Sequence, residues 1–267
     1  MIVYSLLFTL EGKDPSKNKY IDMFYIWLTF LLKYGGLTEK DKLCLLCDDI
    51  TLEEINSYDT LASIIEKTHV EFEIHSIPRP KTISEGICSR YICMAENEYI
   101  LFLDLDILVL KDLSTFFESI PQDSEYMLVM PEGKVLDSMY GGEVIERNTH
   151  TETHHGYTAG WFVYKWGPNV KKVFENIKKG CLENIDKPFY TIDQPFFNKE
   201  IYNTKYNKNN NLLKIYTMDD ECMENNTYNT IQLQNAVFVN YCGEPGDGDM
   251  HYRKVLSFLF SKFLTRD

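Results

Sequence analysis

Residues 100 to 110 read ILFLDLDILVL, an apolar run that is interrupted only by Asp104 and Asp106. A strand buried on both faces of a sheet reads as a continuous apolar run of this kind. Ionised carboxylates are rarely left inside such a run unless they are paired or hold a metal. The stretch therefore predicts a buried strand with two aspartates whose charge is compensated by something else in the protein.

The composition fits a globular protein with an anionic surface. A chain of 267 residues is within the range of a single α/β domain with a substantial core. The aromatic content of 14% favours a packed globule over disorder. The formal net charge of −13 argues against nucleic acid or an anionic membrane as a partner. If the ligand is an anion such as a nucleotide, a divalent cation is the expected source of positive charge.

The sequence carries no pattern of export or membrane insertion. The apolar start MIVYSLLFTL lacks a basic region and meets Glu11, so it resembles a first strand more than a signal peptide. No apolar run reaches membrane-spanning length. The seven cysteines do not suggest a disulfide framework, and we interpret the CxxC pair Cys44 and Cys47 as reduced core cysteines rather than a redox or metal pair. A soluble, cytoplasmic protein is expected.

Strand and helix patterns alternate through the first half of the chain. Strands are predicted at 2–10, 43–47, 70–77 and 100–110. Helices are predicted from Pro15 to the Gly35-Gly36 pair, over 52–67 and over 84–96. This alternation predicts a mostly parallel, Rossmann-like sheet whose ligands bind beyond the carboxyl ends of the strands. Asp104 and Asp106 lie late in such a strand, so both carboxylates can reach that edge.

The second half is less regular. Short strands are predicted at 126–130, 157–164 and 236–241, with an apolar terminal helix at 255–264 that packs on the core. The polar segment 135–155 is predicted to be a loop that could cover a site. The segment 203–211, NTKYNKNNN, is predicted to be a solvent loop.

The pair of aspartates suits a hard cation. Two carboxylates at positions i and i+2 at a strand end make an oxygen-rich site for Mg²⁺ or Mn²⁺, which leaves positions open for substrate phosphates. The alternative is a solvated turn. Apolar residues continue on both sides of the pair, where a turn would be polar, and this favours the metal interpretation.

Four stretches in this order resemble one enzyme family. YILFLDLDILVL resembles the DxD strand of nucleotide-sugar glycosyltransferases with the GT-A fold, in the retaining group that contains glycogenin and the lipopolysaccharide galactosyltransferases. GYTAGWFVY at 156–164, TIDQPFFN at 191–198 and VFVNYCGEPG at 237–246 are similar to further segments of that family. The resemblance implies a single GT-A domain over 1–267, with a nucleotide-sugar-binding half to about residue 112 and an acceptor-side half with the C-terminal helix from about 113.

The resemblance also implies roles for individual residues. Asp104 and Asp106 would hold Mn²⁺ or Mg²⁺, and with Leu105 they would contact the donor. Arg90 would lie near the donor, the alternative being a helix-surface arginine. Residues of the base-binding region after the first strand would be Phe8, Thr9 and Tyr20. Asp193 and Gln194 would face the reacting sugar carbon, the alternative for them being a helix N-cap.

This sequence departs from the family pattern at several positions. Asn240 stands where the family has a histidine that completes the metal shell, which predicts a weaker site or one with harder ligation. Thr158 replaces an asparagine of the donor site. In the segment 243–254, Gly243 and the late cations His251, Arg253 and Lys254 are predicted to contact phosphate, rather than to form only a hinge. His154 and His155 are interpreted as incidental, although either could reach an acceptor or the pyrophosphate.

Three functional hypotheses remain from the sequence. The first is a metal-dependent glycosyltransferase that moves a sugar from a UDP-sugar to a hydroxyl of a glycan, protein or small-molecule acceptor, with retention of the anomeric configuration. The sequence leaves open whether the protein forms a homodimer. The second is a haloacid-dehalogenase-like phosphatase with Asp104 as nucleophile and Asp219-Asp220 as its later acidic pair. The third is a nucleotide-sugar-binding protein without turnover. Acceptor specificity would lie in variable loops at 135–157 and 204–229.

Overall fold

The computed structural model describes most of the chain and gives it an α/β architecture. The described residues are 1–92, 94, 99–114, 117, 120, 125–142, 144–146, 151–185, 191–206, 213–218, 222–228, 232–242 and 248–264. The described strands are β1 Ile2–Leu7, β2 Lys42–Cys47, β3 Glu71–Ser76, β4 Tyr99–Leu103, β5 Ile107–Val109, β6 Glu125–Lys134, β7 His155–Lys165, β8 Leu213–Thr217, β9 Met223–Asn225 and β10 Phe238–Asn240. The described helices are α1 Lys19–Tyr34, α2 Asp49–Asn56, α3 Asp59–Ile65, α4 Ile83–Cys88, α5 Pro168–Leu182, α6 Gln194–Tyr206 and α7 Gly248–Leu264.

The central sheet has seven strands in the order β3-β2-β1-β4-β7-β6-β8. The pairs β2/β3, β1/β4 and β6/β8 are parallel. Strand β7 runs antiparallel to both of its neighbours, β4 and β6. A second sheet contains three short strands in the order β5-β10-β9. The predicted mostly parallel α/β sheet is confirmed.

The chain forms two compact units that interleave along the sequence. The first unit comprises Met1–Tyr4, Lys81–Leu103 and Pro121–Asp220. The second unit comprises Ser5–Pro80, Asp104–Ile120 and Glu221–Asp267. Strand β1 contributes residues to both units. The division of one domain near residue 112 stays a prediction.

The core of the first unit is aromatic. The Phe102 ring from β4 lies 5.0 Å from the Phe162 ring of β7, measured between centroids. Tyr91 stacks on Phe162 at 5.8 Å, and Phe197 of α6 lies 5.6 Å from Phe162. Stacked and tilted rings at these distances gain energy beyond the burial of their surface. This cluster fixes β4, β7 and α6 relative to one another within the unit.

Two predicted helices of the second unit are divided in the structure. A short 3-10 turn occupies Pro15–Lys17, and α1 begins only after Asn18, whose side chain accepts a hydrogen bond from the N–H of Tyr20. The predicted helix over 52–67 is two helices, α2 and α3. The hydroxyl of Ser57 donates to the carbonyl of Glu54 at 2.7 Å, a side-chain bond to the backbone that competes with helix continuation.

The predicted strand over 100–110 is also divided. Strand β4 pairs with β1 and β7, whereas β5 pairs with β10 of the second sheet. The chain therefore changes sheet between Leu103 and Ile107, and a single apolar run covers both strands. None of the described helices has the length and apolarity that crossing a membrane requires.

Candidate active site

The two aspartates of the opening motif lie in a turn between β4 and β5. The N–H of Ile107 donates to the carbonyl of Asp104 at 3.0 Å and closes this turn. Leu105 is buried, with 4% of its surface exposed, while Asp104 and Asp106 are partly exposed. The position of the aspartates late in a strand is therefore corrected: both follow the end of β4. The buried Leu105 anchors the turn and leaves the two acidic residues at its accessible side.

Asp106 is paired with a histidine from the C-terminal helix. The Nδ1 atom of His251 lies 2.7 Å from Oδ2 of Asp106. The exposed fractions of the two side chains are only 8% for His251 and 13% for Asp106. The backbone of Asp106 is held as well, since its carbonyl accepts a bond from the N–H of Tyr241 at 3.0 Å. Asp106 is thus held by Tyr241, the residue that follows β10, and by His251 of α7.

Asn240 lies beside this turn in the second sheet. As the last residue of β10 it pairs with Ile107 in an antiparallel register, one residue along from Asp106. It is buried, with 4% exposure, and its carbonyl accepts a bond from the N–H of Asn226 at 2.8 Å. We call Asp104, Leu105, Asp106, Asn240 and His251 the DLD cluster. All five belong to the second unit.

The chemistry of the DLD cluster fits a small divalent cation. Carboxylate, amide and imidazole groups are ligand types that Mn²⁺ accepts, and Mg²⁺ accepts the oxygen donors among them. Within the described residues, no three His, Cys, Asp or Glu side chains are grouped closely enough to form a metal site by themselves. Of the DLD cluster, Asp106 and His251 are in direct contact, Asp104 lies on the same turn as Asp106, and Asn240 lies in the neighbouring strand.

The loop after β1, predicted to bind the base, is held by a buried polar network. Asp48 accepts a bond from the N–H of Thr9 at 2.9 Å and one from the hydroxyl of Thr51 at 2.6 Å. The Asn18 amide donates to the carbonyl of Phe8 at 2.9 Å and to Oγ1 of Thr9 at 3.0 Å. Thr9 is therefore a member of the scaffold of this loop. The sequence analysis did not single out Asp48, whose N-cap position before α2 was its only signal.

Two predicted phosphate contacts have different outcomes. Lys254 of α7 donates to the carbonyl of Cys242 and, at 3.1 Å, to Oδ1 of Asn226. Its ammonium group thus joins α7 to the segments that follow β9 and β10. Gly243 lies outside the described residues. Tyr20, predicted at the base site, packs near the start of α7, with its ring centroid 6.0 Å from that of His251.

The predicted donor and catalytic residues of the first unit form a buried cluster. The Tyr91 hydroxyl donates to Oδ2 of Asp193 at 2.5 Å, and Nε of Arg90 lies 3.6 Å from the same oxygen. Burial and the nearby charge of Asp193 raise the pKa of Tyr91, so its phenol stays protonated and donates. Arg90 also donates to the carbonyl of Ala159 at 3.0 Å. Arg90 is 6% exposed, which excludes the helix-surface alternative.

Gln194 and its neighbours tie α6 to β7. The Gln194 Oε1 atom accepts from the N–H of Ala159 at 3.0 Å, and its Nε2 donates to the carbonyl of Met139 at 3.1 Å. Asn198, one turn later, accepts from the N–H of Tyr157 and donates back to its carbonyl, at 2.7 and 2.8 Å. We call Arg90, Tyr91, Asp193, Gln194 and Asn198 the Asp193 cluster.

Asp193 also stands where the N-cap alternative placed it. Its carbonyl accepts from the N–H groups of Phe196 and Phe197 at the start of α6, at 3.0 and 2.9 Å. Its carboxylate is meanwhile engaged by Tyr91. Thr158 is buried, and its hydroxyl accepts from the N–H of Gly160 at 3.2 Å.

The remaining singled-out residues lie at the surface or in the core. His154 stacks on Tyr206 with ring centroids 4.4 Å apart, whereas His155 is exposed at the start of β7. Cys44 and Cys47 are free and buried in β2. Because they are three residues apart on a strand, their side chains point to opposite faces, which disfavours a shared metal or disulfide.

Three solved structures with a similar fold are glycosyltransferases. The glycosyltransferase GlyE of Streptococcus pneumoniae TIGR4 matches at 14% identity with a TM-score of 0.52, covering 99% of this chain and 64% of GlyE. The bifunctional glycosyltransferase WbbM matches at 10% identity with a TM-score of 0.56, covering 98% of this chain and 50% of WbbM. The galactosyltransferase LgtC, solved in complex with donor and acceptor sugar analogues, matches at 13% identity with a TM-score of 0.55, covering 96% of this chain and 95% of LgtC.

The chain has a GT-A glycosyltransferase fold. Identities this low establish the fold alone, and the chain spans about two thirds of GlyE and half of WbbM, with 64% and 50% covered. No family model and no curated protein matches the sequence. The resemblance inferred from the four motifs is confirmed at the level of the fold. The roles of the individual residues stay predictions.

Proposed function

We propose that this protein is a metal-dependent glycosyltransferase that transfers a sugar from a nucleotide diphosphate sugar, most simply a UDP-sugar, to a hydroxyl acceptor with retention of configuration. The observation that carries the proposal is the turn between β4 and β5 that holds Asp104 and Asp106. It places two aspartates at the carboxyl end of a central strand, in a fold similar over 96% of this chain to a galactosyltransferase solved with donor and acceptor sugar analogues. Ligands of open α/β sheets bind at this edge.

The DLD cluster supports the metal-dependent part of the proposal. Asp104 and Asp106 would hold Mn²⁺ or Mg²⁺, with Asn240 as a candidate oxygen ligand. When bound, such an ion neutralises the negative charge that develops on a leaving diphosphate. The residues of this chain contribute by position: the bonds from Tyr241 and His251 fix Asp106, so little reorganisation is needed when the ligand binds.

The Asp193 cluster would serve the sugar side of the reaction. A carboxylate that is held by Tyr91 and Arg90 has a fixed position and direction. Polar groups that are fixed before the substrate binds stabilise developing charge on a sugar ring better than mobile groups do. Gln194 is fixed in the same way by the backbone of Ala159 and Met139. Both remain candidate catalytic residues on this argument.

The test is a screen of nucleotide-sugars for Mn²⁺-dependent release of free nucleotide, with and without simple sugar acceptors. The wild-type protein should release UDP from at least one UDP-sugar, and Asp104→Ala should reduce release by about 100-fold or more. Asp59→Ala, which removes an exposed aspartate at the start of α3, is the matched control. Release that survives Asp104→Ala, or no release from any donor, would count against the proposal.

A second candidate is a nucleotide-sugar-binding protein without transfer. It is favoured by the Asp193 cluster, in which the side chains of Asp193 and Gln194 already bond to protein groups. Metal-dependent UDP binding without release from any UDP-sugar would decide for it. The phosphatase hypothesis has less support, because the three solved structures named above are glycosyltransferases. Its acidic pair Asp219-Asp220 lies outside the described residues.

A further inference from the structure

Arg79, which follows β3, is bonded to the loop that follows β1. Its Nε atom donates to the carbonyl of Thr9 at 3.3 Å. Its Nη2 atom donates to the carbonyls of Leu10 and Lys13, at 3.1 and 2.9 Å. One guanidinium group thus spans three carbonyls of a segment that lies 66 to 70 residues earlier in the chain. Both segments belong to the second unit.

The loop is shaped by backbone bonds rather than by packing. The N–H of Lys13 donates to the carbonyl of Leu10 at 3.1 Å and closes a turn, in which Gly12 has a φ of 75° that favours glycine. A Cβ atom at Gly12 would have no other atom within 4 Å, so the turn packs against nothing at that point. The N–H of Glu11 donates to the carbonyl of Pro80 at 2.9 Å. The position of the turn therefore depends on its bonds to the segment after β3.

This loop lies where an open α/β sheet binds its ligands. In the sheet order β3-β2-β1-β4, the first three strands extend to one side of β1 and β4 lies on its other side. Ligands bind beyond the carboxyl ends of the strands at such a reversal of strand order. Since β1 and β4 are parallel, residues 8–13 and the turn with Asp104 and Asp106 leave the sheet at the same edge. A nucleotide at that edge would meet the loop.

We propose that Arg79 is a positioning residue for nucleotide binding, which holds residues 8–13 in the conformation that receives the nucleotide of the donor. This inference rests on the proposed glycosyltransferase function. A loop that adopts its binding conformation in only a fraction of the molecules lowers the apparent affinity by that fraction. Fixing the loop in advance removes this loss. Arg79 would act through the loop and not on the reacting atoms.

The type of side chain fits this role. A guanidinium group presents its N–H donors in a rigid planar fork, whereas a lysine ammonium is a single point on a flexible stem. Thr9 shows the result, since its carbonyl accepts from Arg79 while its N–H donates to the carboxylate of Asp48 at 2.9 Å. Within the described residues, the recorded partners of Arg79 are neutral carbonyls, which do not cancel its charge. In a chain of net charge −13, that positive charge also favours an anionic ligand at this edge.

The experiment combines kinetics with hydrogen exchange in Arg79→Met. With the UDP-sugar that the wild type uses, KM for the donor should rise about 10-fold, because the loop is no longer fixed in advance. The value of kcat should stay within about twofold, since the DLD cluster is unaltered. In the free protein, the amides of residues 9–13 should exchange with deuterium about 10-fold or more faster than in the wild type. A residue needed only for general stability would not give this separation of KM from kcat.

Lys81→Met is the matched control. It removes the same charge two residues later, from an exposed side chain, and should leave both KM and the exchange of the loop unchanged. Arg79→Lys keeps the charge but loses the fork, so its KM and its exchange rates should lie between those of the wild type and Arg79→Met.

An unchanged KM in Arg79→Met, or a raised KM without faster exchange of residues 9–13, overturns the inference and leaves the proposed function intact. A wild-type protein that releases UDP from no UDP-sugar overturns both. Circular dichroism and thermal midpoints establish which variants fold. If Arg79→Met does not fold, Arg79→Lys decides by the same two measurements, and wild-type values of both would overturn the inference.

Discussion

Asp106 and Asp193 both come from motif segments, and each is paired with a nitrogen-bearing side chain, His251 in the second unit and Arg90 in the first. Their surroundings differ. Asp106 lies in a turn next to a second, partly exposed aspartate, whereas Asp193 is 5% exposed and is held by a tyrosine hydroxyl and a guanidinium group. One arrangement concentrates negative charge, and the other neutralises it.

This difference separates two uses of a carboxylate. A pair of acidic residues with one imidazole keeps a net negative charge that a cation can compensate. A buried carboxylate with an arginine and a tyrosine is already compensated, and breaking it leaves an unpaired charge. The DLD cluster should therefore be sensitive in ligand binding and turnover, and the Asp193 cluster in stability. Three experiments test this contrast, and a fourth tests the CxxC pair of β2.

The largest expected effect is on stability, at Asp193. Asp193→Ala leaves the buried guanidinium of Arg90 without its carboxylate and should lower the free energy of unfolding by about 3–5 kcal/mol. Urea denaturation at neutral pH measures it. The double variant Arg90→Met with Asp193→Leu should recover much of this loss, because it removes both charges. A loss below about 1 kcal/mol in Asp193→Ala would contradict the contrast.

The next effect is on turnover, at Asp106. Asp106→Asn keeps the shape of the side chain but removes its charge, so Mn²⁺-dependent UDP release should fall by about 100-fold. The thermal midpoint should stay within a few degrees of the wild type, since the amide keeps a polar group beside Nδ1 of His251. Asp59→Asn is the matched control. Unchanged release together with a large fall in the midpoint would show that Asp106 is structural.

A smaller effect is expected at Gln194, whose side chain bonds to the backbone of Ala159 and Met139. Gln194→Ala leaves the buried N–H of Ala159 without its acceptor and should cost about 1–3 kcal/mol in the free energy of unfolding. Gln234→Ala, at an exposed position, should cost almost nothing. If Gln194 also stabilises the sugar, the variant loses turnover at temperatures where it is fully folded. Full turnover in folded Gln194→Ala would assign it to the scaffold alone.

The smallest effect is expected at the CxxC pair. Burial raises the pKa of Cys44 to about 12 and raises that of Cys47 above its ordinary value. Since a raised thiol pKa keeps the thiol protonated until the pH approaches that value, neither should react with a thiol reagent at pH 8. Cys222 and Cys242, which are half-buried, should react first. Fast labelling of Cys44 or Cys47 in the native protein would favour a redox pair instead.

The fold class could be predicted from the sequence because the spacing of apolar residues along the chain indicates local secondary structure. The continuous apolar runs of β1, β2 and β4 and the Gly35 end of α1 all appear where they were expected. The errors arose where the local sequence pattern gives no information about which strands pair with each other. The run over 100–110 is equally apolar on both sides of the DLD turn, so nothing in it marks the change from one sheet to the other.

The sequence indicated candidate site residues, but it did not indicate which side chains they contact. The spacing of Asp104 and Asp106 alone indicated a polar site. The histidine that contacts Asp106 lies 145 residues away, and the tyrosine that contacts Asp193 lies 102 residues away. Contacts across such separations depend on tertiary packing, which a periodic pattern does not encode. His251 was noted only as one of three late cations, and Tyr91 was not singled out.

The order in which strands find their partners has a consequence for synthesis. Ile2 of β1 pairs with Ile100 of β4, so on a ribosome that adds about 5–20 residues per second this edge of β1 waits roughly 5–20 s for its neighbour. Strand β5 waits longer, because β10 supplies its partner at Phe238–Asn240. The acidic turn therefore receives its imidazole only after 145 further residues have been synthesised, and the contact between Asp106 and His251 forms late in folding.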